Sequence, residues 1–189
     1  MSRVERLNAA AGLRENEGVI IYKPANLFYL TGFTGEGLAL IGLEHRAVVT
    51  DFRYVEQAEN QCGGFEILSV ENGQTHEAIA RDLCAKWKID TLYYEADAIT
   101  VRTFENARSI AQGVDWKPLS DDIERLRQIK DEGEIALIEK ACKITGESFK
   151  RILNEIREGM TERELAARLE YDMLCHGADG MAFSTIVAA

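Results

Sequence analysis

The sequence predicts an α/β fold in which helices flank a mixed sheet and a mostly helical segment follows. As far as residue 119, β-branched apolar runs alternate with amphipathic helical stretches. Two of the apolar runs are separated only by Glu44 and His45, which indicates a hairpin and makes the sheet mixed. Beyond residue 121, apolar residues recur every three or four positions, the helical period.

The first element is a short helix with clear end signals. Ser2 and Glu5 have the spacing of a capping box, and Gly12 can end the helix. Strands are predicted at residues 18–23, 38–43, 46–50, 65–70, 91–95 and 114–119. Helices are predicted at residues 52–62, 75–88 and 100–111. Pro24, with the two residues after it, breaks the first strand, and Gly63 with Gly64 ends the second helix.

The second segment is predicted to contain two helices and one strand. An apolar stripe predicts a long helix that Gly159 ends, and we expect it to pack on the next helix or the first domain. Its members are Ile135, Ile138, Cys142, Thr145, Phe149, Ile152 and Ile156. Thr161 and Glu164 form a second capping box for a helix ending at Gly177, and residues 182–189 have the pattern of a strand.

The change of pattern near residue 121 predicts a domain boundary. We place the first domain at residues 1–123 and the second segment at 124–189. Two helices and one strand are too few to bury an independent core. The second segment is therefore expected to be the truncated start of a larger domain.

Composition limits the classes of partner and compartment. The 189 residues carry a net charge of −10, which argues against nucleic acid or an anionic membrane as partner. The apolar runs are too short for a transmembrane span, and the charged amino terminus does not resemble a signal peptide. The four cysteines are widely spaced, so we expect reduced thiols, no structural zinc and a cytoplasmic location.

The residues alone predict no assembled active site. The sequence lacks the G-x-S-x-G, H-E-x-x-H and Walker motifs. The glycine pair around Glu36 precedes a strand instead of a helix, which disfavours a phosphate loop. His45, His76 and His176 do not have the local spacing of a metal site, and the adjacent Cys175 and His176 would point apart on a helix. We therefore assign no catalytic and no metal-binding residue.

Several segments carry motifs that follow one another in chain order. They are NLFYLTGF at residues 26–33, TDFRYVEQA at 50–58, LRQIKDEGEI at 126–135, GMTE at 159–162 and GADGMAFSTIVA at 177–188. Together they resemble the creatinase / Xaa-Pro peptidase family of pita-bread metallopeptidases. The resemblance implies a creatinase-like N-terminal domain followed by the start of a catalytic domain, most like a bacterial Xaa-Pro aminopeptidase or dipeptidase. The glycine-bracketed loop at residues 34–37 favours the aminopeptidase type.

The resemblance also implies a chemistry that these residues would not perform alone. The family uses two divalent metal ions, with manganese, cobalt or zinc expected here, held by two Asp, one His and two Glu. All five ligands would follow Ala189, so this fragment is expected to bind no metal, to be inactive and to serve as a scaffold in a homodimer. Proline-containing peptides would be the substrates of the full-length enzyme. The alternatives are a non-catalytic binding module and a creatinase-type amidinohydrolase fragment.

Two residues are candidates for contact with substrate. In the family, the loop after the TGF motif can project towards the active site of the dimer partner, and here that loop is residues 33–37. Glu36 can then meet the ammonium group of a peptide, and Arg53 can bind a carboxylate through two hydrogen bonds. The alternatives are a solvated turn residue for Glu36 and a structural ion pair with Asp51 or Glu56 for Arg53.

Overall fold

The structure is a computed structural model that describes residues 1–71 and 73–188. It divides into two compact units, Met1–Ile129 and Lys130–Ala189. The strands are β1 (Glu17–Ile21), β2 (Gly37–Gly42), β3 (Arg46–Asp51), β4 (Glu66–Val70), β5 (Thr91–Tyr94) and β6 (Asp115–Pro118). The helices are α1 (Arg3–Ala11), α2 (Pro24–Thr31), α3 (Val55–Gln61), α4 (His76–Trp87), α5 (Val101–Ile110), α6 (Asp122–Gln128), α7 (Glu132–Ile152) and α8 (Glu162–Cys175). No helix in the described ranges is long and apolar enough to cross a membrane.

The first unit is a six-stranded mixed sheet with helices on both faces, as the sequence predicts. The strand order is β4-β3-β2-β1-β5-β6. Strand β2 is antiparallel to β1 and β3, and every other pair of neighbours is parallel. Five strands therefore end along the same side of the sheet, which we call the carboxyl edge; they are β1, β3, β4, β5 and β6. Strand β2 runs in the opposite direction and starts at this carboxyl edge.

Each face of the sheet buries its own apolar layer. On one face Leu7 of α1, Leu27 of α2 and Ile123 of α6 pack together, each with at most 2% of its surface exposed. On the other face Leu83 and Trp87 of α4 cover Leu40 of β2. Alternation of side chains along the strands supplies both layers.

The start of the chain follows its local signals closely. The Ser2 hydroxyl accepts from the Glu5 amide at 3.2 Å, and the Glu5 carboxylate accepts from the Ser2 amide at 2.7 Å. Gly12 ends α1 in the left-handed conformation, with φ +61°. The predicted capping box and helix end are confirmed.

Helix α2 is not among the elements predicted from the sequence. Pro24 was expected only to break the strand before it, but it occupies the first turn of this helix. Proline suits that position because its fixed φ is helical and its missing N–H would have no partner there. Gly32 ends the helix with φ +80°.

The second unit contains α7 and α8, which pack on each other as predicted, but most of the α7 stripe does not take part. Helix α7 ends at Ile152 instead of reaching Gly159, and Ile152 is the only buried member of the stripe. Phe149 is 54% exposed. The contact with α8 is made near the end of α7, where Arg151 donates to Asp172 from Nε and Nη2 at 2.8–3.1 Å. The other members of the stripe are exposed.

The strand predicted at residues 182–189 is also not formed. Residues 182–188 have no regular secondary structure, and Ala189 lies outside the described residues. A strand requires a hydrogen-bonded neighbour, and the described part of the second unit has no other strand.

The predicted domain boundary between residues 123 and 124 falls inside α6. In packing terms α6 belongs to the first unit, which extends to Ile129. The position at which the two functional domains divide stays a prediction.

Exposure of the stripe gives a stability test with an internal control. We expect Phe149→Ala to lower the free energy of unfolding by under about 1 kcal/mol, because its ring is half in solvent. Ile152→Ala, at a position only 3% exposed, should cost about 2–5 kcal/mol. Urea denaturation followed by circular dichroism measures both. Equal losses in the two variants would show that the Phe149 ring is buried.

Candidate functional site

The two candidate residues meet at the carboxyl edge of the sheet. Glu36 lies just before β2, and Arg53 lies just after β3. Because β2 and β3 are antiparallel neighbours, with Gly37 opposite Thr50, the start of one lies beside the end of the other. The Thr50 hydroxyl donates to the Glu36 carbonyl at 2.5 Å and holds the two segments together.

Arg53 connects Glu36 to Asp51. It donates from Nε to Asp51 Oδ1 at 3.0 Å and from Nη2 to Asp51 Oδ2 at 2.6 Å. The same Nη2 lies 3.5 Å from Glu36 Oε2. Its guanidinium also lies over the Tyr54 ring, 5.2 Å from the centroid. The structural ion pair with Asp51 is therefore present, and Glu36 is added to it.

The charges of this cluster favour a cationic ligand. The hydrogen bonds from Arg53 hold the pKa of Asp51 below its usual value, with burial opposing them and His76 adding a smaller effect. Asp51 also raises the pKa of Arg53. Two carboxylates and one guanidinium leave one net negative charge, and 76% of the Glu36 side chain is exposed. The cluster can thus attract an ammonium group more readily than a carboxylate.

The loop that carries Glu36 is shaped by close contacts. A Cβ on Gly35 would lie 2.8 Å from the Tyr54 ring, and one on Gly37 would overlap the Val49 carbonyl. Neither glycine has a positive φ. The reason for glycine at these positions is therefore the close contact with neighbouring residues, and not an unusual backbone conformation. Thr34 is tied to α3, since Gln57 Nε2 donates to its hydroxyl at 2.7 Å and Gln61 Oε1 accepts from its amide at 3.0 Å.

A second polar cluster at the same edge centres on Glu95. This residue follows β5 and is 4% exposed. Its Oε2 accepts from the amides of Tyr22 and Lys23 at 2.6 and 2.9 Å, and its Oε1 accepts from Asn26 Nδ2 at 2.6 Å. Burial raises the pKa of Glu95, although these three hydrogen bonds oppose the shift.

Glu95 lies where the strand order of the sheet changes direction. From β1 the chain continues to β2, β3 and β4 on one side, and β5 returns to the other side of β1. Such a switch in strand order leaves a crevice at the carboxyl ends, where many α/β proteins bind ligands beside a helix amino terminus. Here the carboxylate of Glu95 fills that place at the start of α2.

The Glu95 cluster extends to α6. Asn26, which is fully buried, donates to Glu124 Oε1 at 2.8 Å and accepts from Arg127 Nη1 at 2.7 Å. Lys23 donates to Glu124 at 3.0 Å and to Asp97 at 2.7 Å. Burial opposes ionisation of Glu124, but the hydrogen bonds from Asn26 and Lys23 outweigh it and lower its pKa. The cluster therefore joins α2, the segment after β5, and α6.

Sequence reasoning missed this cluster. Its signal was present, because Lys23 and Glu95 are the last residues of two predicted strands and Asn26 lies three residues after the first of them. Carboxyl ends of parallel strands meet at one edge, so residues after two such strands can be expected to approach. These two strands are neighbours because of the strand order, which the local sequence patterns do not predict.

The histidines and carboxylates do not assemble into a metal centre in the described ranges. Groups of three or more His, Cys, Asp or Glu that could hold a metal ion are absent there. His45 stacks on Trp87 with 5.4 Å between ring centroids, and His176 Nδ1 lies 2.7 Å from the Asp172 carbonyl oxygen. The donors of this part of the chain therefore do not fit a two-metal site.

Comparison with known families and proteins identifies both units. Residues 3–129 match the model of the Creatinase/Prolidase N-terminal domain. Residues 136–189 match the model of Metallopeptidase family M24. The two matches follow one another in the order that the sequence motifs indicate.

Individual relatives align with almost all of this chain. The uncharacterized peptidase YqhT of Bacillus subtilis is 35% identical over 188 residues, which are 99% of this chain and 53% of the relative. A solved Xaa-Pro dipeptidase from Bacillus anthracis superposes with a TM-score of 0.88 at 31% identity, covering 96% of this chain and 50% of that one. An X-Pro aminopeptidase from Thermotoga maritima gives 0.87 at 32% identity, with 97% and 51% covered. The chain spans about half the length of the curated relatives it matches.

The buried carboxylate gives a direct stability test. We expect Glu95→Ala to lower the free energy of unfolding by about 3 kcal/mol or more, because two amides and the Asn26 side chain would lose their acceptor. Asp97→Ala is the matched control, since Asp97 belongs to the same cluster but is 67% exposed, and it should cost under about 1 kcal/mol. Urea denaturation measures both, and equal losses would contradict a central role for Glu95.

Proposed function

The chain belongs to the creatinase/prolidase family, and we propose that it is the amino-terminal half of a metal-dependent peptidase that cleaves Xaa-Pro bonds. The observation that carries the proposal is the ordered pair of family matches, an N-terminal domain at residues 3–129 and an M24 segment at 136–189. Similarity to an Xaa-Pro dipeptidase and to an X-Pro aminopeptidase supports this substrate class. A cytoplasmic homodimer is part of the proposal.

In this proposal the first unit contributes to substrate binding. The loop at residues 33–37 presents Glu36 to solvent, where its carboxylate can accept hydrogen bonds from the ammonium group of a peptide. Arg53 has two donors committed to Asp51, and it therefore orients Glu36 more readily than it binds a substrate carboxylate. A negative group is one means of recognising a free amino terminus, and the one net negative charge of the cluster supplies it.

The metal chemistry is proposed for the longer protein. When bound in the longer protein, two divalent ions would activate the water that attacks the peptide carbonyl. The residues described here offer no ligand cluster for such ions, so no catalytic step is derived through them. Their proposed role is to support the catalytic domain and to approach the substrate.

Activity of the 189-residue chain and of the longer protein distinguishes the proposal from its alternatives. We expect the longer protein to hydrolyse Xaa-Pro peptides with added manganese, cobalt or zinc and to lose activity with a chelator. The 189-residue chain should retain no stoichiometric metal after dialysis and should show no turnover. Creatine hydrolysis by the longer protein would favour the amidinohydrolase, and full metal ligation without any hydrolysis would favour a binding module.

Two substitutions in the longer protein test the role of the loop. We expect Glu36→Gln to lower kcat/KM for an Xaa-Pro peptide about tenfold through loss of the ammonium contact, equivalent to about 1.4 kcal/mol. Arg53→Met should have a smaller effect of the same sign, because Glu36 loses its orienting partner.

Glu56→Gln, on the nearby α3, is the matched control and should leave kcat/KM unchanged. Steady-state kinetics must be accompanied by a measurement of mass, so that loss of the dimer is recognised. If kcat/KM changes by less than about threefold in both loop variants, equivalent to about 0.7 kcal/mol, the first unit does not contribute to substrate binding and acts only as a scaffold.

A further inference from the structure

A small pocket opens at the carboxyl edge of the sheet. Its volume is about 180 Å³, and its lining combines the turn after β1, the start of β2, the first turn of α4, and α5. The lining residues are Tyr22, Gly37, Leu38, His76, Glu77 and Thr103. A cavity of about 150 Å³ can hold benzene. This pocket, which we call the Tyr22 pocket, can therefore take one side chain of a ligand.

The Tyr22 pocket lies next to the cluster of Glu36, Arg53 and Asp51. Gly37 lines the pocket and directly follows Glu36, and consecutive Cα atoms are about 3.8 Å apart. The pKa of Asp51 is lowered chiefly by Arg53 and to a smaller extent by His76, which places this lining residue near the Asp51 carboxylate. A ligand whose ammonium group contacts Glu36 can therefore extend its next few atoms into the pocket.

One lining residue has an unused hydrogen-bonding group. The hydroxyl oxygen of Tyr22 is buried and has no hydrogen-bond partner within residues 1–71 and 73–188. Burial raises the pKa of Tyr22, and the charge of Glu77 adds to the shift, so the hydroxyl is neutral and within electrostatic range of the Glu77 carboxylate. Most buried polar side-chain atoms have a partner. A hydrogen-bond donor on a ligand would supply one here.

The charge and shape of the pocket favour a cation on an apolar stem. Glu77 is partly buried in the lining, and the neighbouring cluster adds one net negative charge. The amino terminus of α4 alone would favour an anion, but Thr75 accepts from the Ala78 amide and Glu77 already brings a carboxylate into the first turn. Leu38, which is 1% exposed, and the Tyr22 ring form an apolar wall that suits the methylene chain of lysine or arginine.

We propose that the Tyr22 pocket binds the side chain of the amino-terminal residue of the substrate and selects arginine or lysine. The ammonium group of the peptide contacts Glu36, and the methylene chain lies against Leu38 and the Tyr22 ring. The cationic end meets the Glu77 carboxylate and the Tyr22 hydroxyl. The inference rests on the proposed function and adds a specificity-determining residue to it, Glu77.

Binding of two amino-acid amides to the 189-residue chain tests the pocket without peptidase activity. In a nuclear magnetic resonance titration, argininamide should bind about tenfold more tightly than norleucinamide, which has a side chain without the charge. Glu77→Gln should abolish this preference, and Tyr22→Phe should reduce it by removing one acceptor. The matched control is Glu105→Gln, which removes the same charge from an exposed position on α5 and should retain the preference. Circular dichroism checks that each variant is folded.

Kinetics of the longer protein separate the pocket from the proposed function. We expect kcat/KM for a peptide that begins Arg-Pro to exceed that for its norleucine-Pro counterpart about tenfold, and Glu77→Gln should remove the difference. Equal binding of the two amides, or a preference that Glu77→Gln leaves intact, would overturn the pocket whether or not the longer protein is a peptidase. A longer protein that binds argininamide preferentially but hydrolyses no Xaa-Pro peptide would support the pocket as a binding site and contradict the proposed function.

Discussion

The hydrogen bonds of Glu95 are the interaction on which the carboxyl edge of the sheet depends. A buried carboxylate is costly unless donors surround it, and here two backbone amides and the Asn26 side chain do so. The donors come from the turn after β1 and from α2, whereas Glu95 follows β5. The carboxylate therefore connects two neighbouring parallel strands at the point where both end, and it also satisfies the amide of Lys23, the N-cap of α2.

The Glu95 cluster also positions α6 and the loop that carries Glu36. Asn26 connects Glu95 to Glu124 and Arg127, so α6 is held against α2 by polar contacts in addition to the burial of Ile123. Helix α2 ends at Gly32, and the loop that carries Glu36 starts at the next residue. The position of that loop is thus set at one end by the Glu95 cluster and at the other by Thr50 and α3. A loop held by hydrogen bonds at both ends suits a role in substrate binding, because an ordered contact loses little entropy on binding.

Local signals in the sequence were sufficient for most of the first unit and insufficient elsewhere. Capping residues and alternation predicted α1, the β2–β3 hairpin and the alternating strands and helices, because those signals act within a few residues. Helix α2 was missed because Pro24 was interpreted only as a strand breaker. The Glu95 cluster depends on strand order, which no local pattern gives. The stripe on α7 has the period of a buried helix, yet Phe149 is exposed, since periodicity identifies an apolar face without identifying what covers it.

Hydrogen exchange of the Tyr22 and Lys23 amides tests the central role of Glu95 most directly. These amides lie just after β1, outside the strand ladder, and Glu95 is their acceptor. The account requires both amides to exchange slowly in the wild-type chain and at least tenfold faster in Glu95→Ala, which removes their acceptor, with amides in the centre of β2 unchanged. Fast exchange of both amides in the wild type, or rates that the substitution does not alter, would contradict it.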